Sequence, residues 1–222
     1  MPGYPVLLDL RDRLVVVVGA GSVGRRKIAG LLDAGARVRL VSRDPVPPTC
    51  WLCRIELHLR PFHPDDLDGA TLAFAATGSA EVDGEVLAAA RARGIPANLA
   101  AAPDAGDFTL PATLHLGELT VAVATGGRAP ALAALVRDRI AAGLEPEWGL
   151  VLEIAAALRR EKLTGSRQRV YSSKVLEELL HAGLLELLAR RDTEVINHLL
   201  TRVCGRTLSL AGLGLTLPDQ TP

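Results

Sequence analysis

The sequence predicts an α/β fold in which a domain built on a parallel sheet precedes a small β element and a C-terminal helical domain. Three observations lead to this prediction. Leu14–Val18 is a continuous apolar run that ends in glycines, which is typical of a strand buried on both faces. Residues 22–34 then carry apolar side chains at helical spacing, and Arg37–Ser42 alternates as a second strand. From residue 129 onward the pattern is almost entirely helical.

The alternation of strand and helix continues through residues 55–60 and 72–76, which are predicted strands, and residues 81–93, a predicted helix. Strands predicted at 108–111 and 119–124 are joined by a turn at Gly117 and indicate an added β element. The later helices are predicted at 131–142, 148–160, 174–180, 184–190 and 194–203. The tail from residue 212 onward is predicted to be peripheral. The predicted domains are residues 1–112, 113–144 and 145–222.

Composition is that of an ordinary globular protein, with 49% hydrophobic and 23% charged residues in 222. The 25 basic and 25 acidic residues cancel, so charge gives no reason to expect nucleic acid or a membrane as a partner. Apolar stretches fall short of the roughly 18 residues that a bilayer span needs, and the first residues lack the pattern of a signal peptide. Three cysteines are too few for a disulfide framework. We therefore expect a cytoplasmic protein.

The turn after the first strand carries the glycines Gly19, Gly21 and Gly24. The first permits a tight turn, the second lets the backbone approach a pyrophosphate, and the third allows the helix to pack closely on the sheet. The free N–H groups of the helix start, at Ser22 and Val23, then point at the phosphates. Because the motif follows a buried strand and opens a helix, it predicts a Rossmann-type domain that binds a dinucleotide.

The second strand ends at Ser42-Arg43, where a Rossmann domain specific for NAD usually has an acidic residue on the ribose 2′-hydroxyl. A Ser-Arg pair can instead accept a 2′-phosphate. Asp44 follows one position later and could serve the ribose. NAD is the predicted cofactor and NADP the alternative.

Thr125-Gly126-Gly127-Arg128 lies between a predicted strand and a predicted helix. Backbone amides, a hydroxyl and a guanidinium at a helix start have the form of an anion site, which a carboxylate-rich small molecule would suit. A plain strand-to-helix turn is the alternative.

Cysteines and histidines predict no metal site. Cys50 and Cys53 have the spacing of half a zinc site, but no second pair stands at a matching interval. The five histidines form no pair at i, i+4 spacing, and most are expected to be structural or exposed. His115 is the exception, because it falls between the strands that line the predicted anion site.

Taken together, these residues resemble the precorrin-2 dehydrogenase and sirohydrochlorin ferrochelatase family of siroheme biosynthesis, over nearly the whole chain. The order and spacing of the matching pieces is more specific than the glycine motif alone. They are Tyr4-Pro5-Val6, Leu8-Asp9-Leu10, Gly19 to Gly24, Arg26-Lys27, Ala34-Gly35-Ala36, Ala75-Ala76-Thr77, Asn98, Phe108, Pro111-Ala112, Val121 to Pro130, Leu132, Arg137, Trp148-Gly149-Leu150 and Gly183 to Glu186.

The resemblance implies that NAD accepts hydride from precorrin-2 to give sirohydrochlorin, and that some members also insert ferrous iron. It implies an intertwined homodimer, in which the small β element serves dimerisation, and a tetrapyrrole held between the cofactor domain and the helical domain. By the same resemblance Thr77 joins the cofactor contacts, and Asn98, His115 and the loop from Thr125 to Arg128 border the substrate. Arg167 and Arg169 either meet its carboxylates or lie in a solvated turn.

One departure from the family bears on mechanism. Many members have an aspartate three residues after the asparagine matched by Asn98, and here that position is Ala101. A methyl group cannot accept a proton, so Asp104 is the candidate base and Asp107 the other carboxylate on the loop. We expect a dehydrogenase without chelatase activity. The alternatives are a non-catalytic module that binds a tetrapyrrole or nucleotide, and a bifunctional dehydrogenase and ferrochelatase.

Overall fold

The computed structural model describes residues 3–164, 171–205 and 207–218. The chain forms two compact units. The first comprises Met1–Leu110 together with Thr125–Ala129, and the second comprises Pro111–Ala124 together with Pro130–Pro222. The short loop after the second strand of the added β element thus belongs to the first unit, although its neighbours on both sides belong to the second.

The first unit is built on a parallel sheet of five strands in the order β3-β2-β1-β4-β5. The strands are β1 (Leu14–Val18), β2 (Arg37–Ser42), β3 (Glu56–Leu59), β4 (Leu72–Ala75) and β5 (Ala97–Leu99). Helix α1 (Ser22–Asp33) connects β1 to β2, and α2 (Ala80–Ala92) connects β4 to β5. The strand order reverses direction between β1 and β4, which is the switch point where ligands of such sheets bind.

The central strand explains why this domain needs helices on both faces. Val15 and Val17 pack in one core cluster with Ile28 of α1, whereas Val16 and Val18 pack in another with Val86 of α2. Successive side chains of a strand point to opposite faces, so a run of four buried valines requires cover on both sides. The predicted Rossmann-type sheet is confirmed.

The edge strand β3 is held by an ionic cluster around Asp66, whose side chain is buried. Arg60 and the backbone N–H of His63 donate to its carboxylate, and Nδ1 of His58 lies 2.8 Å from Oδ1. Burial of the carboxyl group opposes its ionisation, but these hydrogen bonds outweigh burial and lower the pKa of Asp66 to about 2. The cluster therefore ties β3 to the turn that precedes β4.

Around residue 100 the structure contains one strand that was not predicted and lacks one that was. Strand β5 was not predicted, because its three residues, Ala97, Asn98 and Leu99, carry no β-branched side chain. The strand predicted at 108–111 is wrong, since no strand is present there. Phe108 instead packs edge-on against Phe74, with ring centroids 5.4 Å apart, so its apolar character serves the core of the first unit.

The second unit begins with an antiparallel pair, β6 (Ala112–Leu116) and β7 (Leu119–Val123), which turns at Gly117 as predicted. In the described part of the unit, five α-helices follow: α3 (Pro130–Ala141), α4 (Trp148–Thr164), α5 (Ser173–His181), α6 (Leu184–Arg190) and α7 (Thr193–Cys204). Helices α4 to α7 share one core that includes Ile154, Leu188 and Leu200. Leu213 is buried in the same core, so the prediction of a peripheral tail is wrong there. No helix among the described residues is both long and apolar enough to cross a bilayer.

Candidate functional site

The glycine turn after β1 owes its shape to contacts on two sides. A Cβ on Gly19, which has φ +106°, would overlap the carbonyl oxygen of Ala76 at the end of β4. A Cβ on Gly24 would overlap the carbonyl oxygen of Gly19. A Cβ on Gly21 would meet no atom within 4 Å. Gly19 and Gly24 therefore allow strand, turn and helix to approach, while the backbone at Gly21 faces open space that a ligand can enter.

Helix α1 starts at Ser22 with Gly21 as its N-cap, so no side chain caps the helix start. The first N–H groups of a helix have no partner within the helix. The first turn also contains no acidic residue that would repel an anion. Ser22 and Val23 are exposed. The start of α1 thus offers free backbone donors and the positive end of the helix dipole to a phosphate.

A cavity of about 290 Å³ lies beside this helix start. It is lined by residues that follow β1, β4 and β5, in the loops and in the first turns of α1 and α2: Gly21, Ser22, Val23, Ala76, Thr77, Gly78, Asp83, Ala100 and Ala101. The carboxyl ends of parallel strands are where α/β sheets bind ligands. The structure therefore brings the predicted contacts Gly21, Ser22, Val23 and Thr77 together, with Ala101 beside them.

Asp83 is the lining residue that sequence reasoning missed. It lies in the first turn of α2 with 3% of its surface exposed. The backbone N–H and the hydroxyl of Thr77 donate to its Oδ1 over 3.1 and 2.6 Å. Asp83 shares the buried face of α2 with Val86 and Ala90. An acidic residue on that apolar face is the signal that could have identified it.

The chain carries a basic and an acidic side chain, Arg43 and Asp44, directly after β2. Ser42 is buried and its hydroxyl donates to the carbonyl oxygen of Asp44 over 2.7 Å. Arg43 and Asp44 are exposed. A phosphate could pair with Arg43, and a ribose hydroxyl could donate to Asp44, so this end of the sheet can accept either form of the cofactor.

Asn98 lies in β5 and is buried, with both ends of its amide engaged. Lys27 donates to Oδ1 over 2.9 Å, and Nδ2 donates to the carbonyl oxygen of Phe108 over 2.8 Å. The ammonium of Lys27 also lies 4.9 Å from the centre of the Phe74 ring. Burial, with a smaller contribution from the charge of Arg26, lowers the pKa of Lys27 to about 8. In this arrangement Asn98 links α1 to the chain after β5, and its role as a substrate contact stays a prediction.

The loop Thr125-Gly126-Gly127-Arg128 packs beside Asp104. Gly126 and Gly127 have φ of +62° and +76°, and a Cβ on Gly127 would lie 3.1 Å from Oδ1 of Asp104. The hydroxyl of Thr125 accepts the N–H of Ala129 over 3.2 Å, which closes the turn before α3. Arg128 is exposed. One candidate base and the predicted anion loop are therefore neighbours within the first unit.

The two loop carboxylates have different surroundings. Asp107 accepts the N–H of Ala97 over 3.0 Å and pairs with Arg91 over 3.0 Å. The backbone hydrogen bond, followed by the interaction with Arg91, outweighs burial and lowers the pKa of Asp107. Asp104 is exposed. Asp107 therefore anchors the loop to β5, and Asp104 is the better candidate for proton transfer.

The other predicted residues are not among those that line the cavity. His115 is an exposed residue within β6 of the second unit, with Nδ1 3.0 Å from the hydroxyl of Thr120. Arg167 and Arg169 lie outside the described residues. Cys50 and Cys53 are exposed free thiols. In the ranges that the structure describes, no cluster of three His, Cys, Asp or Glu could hold a metal ion.

Two family models match the chain. Residues 6–112 match the family described as "Putative NAD(P)-binding", and residues 117–142 match "Sirohaem biosynthesis protein central". The siroheme synthase of Methylobacillus flagellatus is 36% identical over 193 residues, which are 83% of this chain and 41% of that protein. The siroheme synthase of Citrobacter koseri is 33% identical over 90% of this chain and 46% of its own length. The chain thus spans less than half of these relatives.

Among solved structures, SirC, a precorrin-2 dehydrogenase, superposes with a TM-score of 0.71. The match covers 90% of this chain and 98% of that chain at 22% identity. The two proteins therefore share one fold over most of both chains.

Proposed function

We propose, on the premise that this chain belongs to the siroheme synthase family, that it catalyses the NAD(P)-dependent oxidation of precorrin-2 to sirohydrochlorin. The observation that carries this proposal is the cavity at the switch point, where the glycine turn, Thr77 and the end of β5 meet. A family relationship to siroheme synthases and a fold shared with a precorrin-2 dehydrogenase support the substrate class.

The residues present fit a dinucleotide. The open space at Gly21 admits a pyrophosphate close to the backbone, and Ser22, Val23 and Gly24 supply helix N–H groups to it. Gly19 keeps the turn against β4. Ser42 and Arg43 would border the adenosine ribose, and Thr77 the other half of the cofactor. When bound, the cofactor supplies the hydride acceptor.

NAD is the cofactor that we propose, with NADP as the alternative. Asp44 is exposed beside Arg43 at the end of β2, and its carboxylate can accept from a ribose hydroxyl. A 2′-phosphate would favour Arg43 and be repelled by Asp44. The ratio of kcat/KM for the two cofactors decides between them.

Oxidation of precorrin-2 releases one hydride to the cofactor and one proton to a base or solvent. We assign the proton to Asp104, because Ala101 has no acceptor and Asp107 is engaged with Arg91 and Ala97. Asn98, His115, Thr125, Gly126, Gly127 and Arg128 are the proposed substrate contacts. Arg128 can pair with a carboxylate side chain of the tetrapyrrole.

Chelation is not part of the proposed function. Metal insertion needs a group that takes up the pyrrole protons, and the position that carries this aspartate in many members is Ala101. The same alanine supports a second candidate, a non-catalytic module that binds a tetrapyrrole or nucleotide. A bifunctional enzyme would have to take up the pyrrole protons through His115, Asp104 or Asp107.

A homodimer is the proposed assembly. Leu132, Leu135 and Val136 form one exposed apolar face of α3, which packs on β6 and β7. Large apolar side chains at i, i+3 and i+4 on a surface are typical of a face that another chain covers.

The decisive experiment measures anaerobic oxidation of precorrin-2 by the purified chain, with NAD and NADP in parallel and ferrous iron added afterwards. We expect oxidation with at least one cofactor and no iron insertion above the spontaneous rate. Binding of a cofactor without oxidation would reject the dehydrogenase and favour the non-catalytic module. Accelerated iron insertion would favour the bifunctional alternative.

A further inference from the structure

The carboxylate of Asp83 has one oxygen that its protein surroundings leave unsatisfied. Oδ1 accepts both donors of Thr77. Oδ2 is also buried, and among the described residues it has no hydrogen-bond partner. A buried polar atom without a partner costs free energy, and more so when it belongs to a charged group. Buried unsatisfied atoms of this kind are rare in folded proteins, so we expect Oδ2 to accept from a donor that is not among the described residues.

The position of Asp83 identifies where that donor comes from. Asp83 lines the same cavity as Gly21, Ser22 and Ala101. Its contact to Thr77 is made at the carboxyl end of β4, on the opposite side of β1 from β2. Asp83, which carries the unsatisfied oxygen, thus lines the cavity of the proposed cofactor site.

The charge of Asp83 identifies which part of a dinucleotide can approach it. A carboxylate repels the pyrophosphate, which the start of α1 is suited to bind. It accepts hydrogen bonds from hydroxyl groups. With the adenosine ribose at the end of β2 and the pyrophosphate at the glycine turn, the second ribose extends over the ends of β4 and β5.

We propose that Asp83 is a cofactor-binding residue whose Oδ2 accepts a hydrogen bond from a hydroxyl of the ribose that carries the nicotinamide, an inference that rests on the proposed function. Thr77 holds the carboxylate in place through Oδ1, so Thr77 acts as the positioning residue for Asp83. NAD and NADP share this ribose, and the assignment is therefore independent of the choice between them.

The test compares two ligands that differ by this ribose. ADP-ribose contains it and ADP does not, and neither carries the positive charge of nicotinamide. In Asp83→Asn the two Thr77 donors select the amide oxygen for the place of Oδ1, so an NH₂ group takes the place of Oδ2. We expect the Kd for ADP-ribose, measured by calorimetry on the full chain, to rise about tenfold, and the Kd for ADP to stay within about twofold.

Glu81→Gln is the matched control, because it removes one negative charge from the exposed face of the same helix turn. We expect it to change neither Kd. Thermal unfolding checks that both variants are folded. Should Asp83→Asn fail to fold, the wild-type chain provides the second measurement, since it must bind ADP-ribose more tightly than ADP.

The outcomes separate this inference from the function on which it rests. Wild-type binding of ADP and ADP-ribose, with no selective loss of ADP-ribose in Asp83→Asn, overturns the role of Asp83 and leaves the cofactor site standing. Equal wild-type affinities for the two ligands also overturn it. A wild-type chain that binds neither ligand rejects the proposed function and the role of Asp83 together.

Discussion

At the scale of single residues, the site depends on atoms that are absent as much as on those that are present. Gly19 and Gly24 omit a Cβ where a carbonyl oxygen lies, and Ala101 omits a carboxylate beside the cavity. Asp83 and Asp104 supply carboxylates at other positions of the same region. Substitutions at these residues therefore test the assignment of roles directly.

Gly24→Ala should destabilise the first unit and abolish cofactor binding. The added methyl group overlaps the backbone carbonyl of Gly19, which cannot move without moving the glycine turn. We expect a loss of about 2 kcal/mol in the free energy of unfolding, measured by urea denaturation. Gly30→Ala is the control in the same helix, because its Cβ meets no atom within 4 Å. It should stabilise the chain by roughly 0.5–1 kcal/mol. Equal effects of the two substitutions would contradict this account.

Asp104→Asn should lower kcat for precorrin-2 oxidation by about 100-fold or more, since general base catalysis is commonly worth that much. The Kd for the cofactor should not change, because Asp104 does not line the cavity beside α1. Asp107→Asn, by contrast, should act through stability, since Asp107 accepts the N–H of Ala97 and pairs with Arg91. Unchanged turnover in Asp104→Asn would eliminate its role as base.

At the scale of elements, the helices and loops that follow the strands position the site. Polar clusters hold the edge strand and the loop after β5 in place. Asp66 ties the edge strand β3 to the turn before β4, and Asp107 ties the loop after β5 back to Ala97. Lys27 of α1 reaches Asn98 in β5 across the face of the sheet. These contacts join elements that are distant in sequence.

The Asp66 cluster should make stability depend on acid pH. The pKa of Asp66 falls from 3.8 to about 2 on folding, so the unfolded chain binds the proton more readily. Its contribution of roughly 2 kcal/mol is therefore complete above about pH 4 and is lost as the pH falls towards 2. Urea unfolding between pH 2 and 6 measures it. Asp66→Asn should flatten this part of the profile, and Asp65→Asn, at an exposed neighbour, should not. Identical profiles for the wild type and Asp66→Asn would show that the cluster is not coupled to folding.

At the scale of the whole molecule, the chain combines a cofactor-binding unit with a unit that has an apolar surface of its own. Leu132 and Leu135 of α3 are 50% and 63% exposed. Neighbouring apolar side chains that are this exposed indicate a surface that binds another chain. The proposed homodimer would cover them.

Leu135→Glu should convert the proposed homodimer to a monomer, because a buried charge without a partner is costly at an interface. Sedimentation at micromolar concentration measures the change. Val195→Glu places the same charge at an exposed apolar site on α7 and should leave the dimer intact. A wild-type chain that sediments as a monomer would refute the proposed assembly.

Local patterns accounted for the elements whose signals lie within a few residues. The bounds of β1 and β2 are those that the sequence predicted, and α1 ends one residue before its predicted end at Ala34. Such patterns did not reveal β5, which is three residues long, nor could they separate an apolar run that forms a strand from one that fills a core, as at Phe108.

The sequence alone determined the Rossmann-type domain, the glycine turn and the family, because these depend on local spacing and on the order of motifs along the chain. Only the tertiary structure decided that Asp83 lines the cavity, that Asp107 is an anchor and that Asp104 packs beside Gly127. Each of these facts depends on which loops meet at the carboxyl ends of the strands. Where these loops come together, residues that are far apart in sequence become buried and form hydrogen bonds. No local pattern in the sequence encodes these contacts.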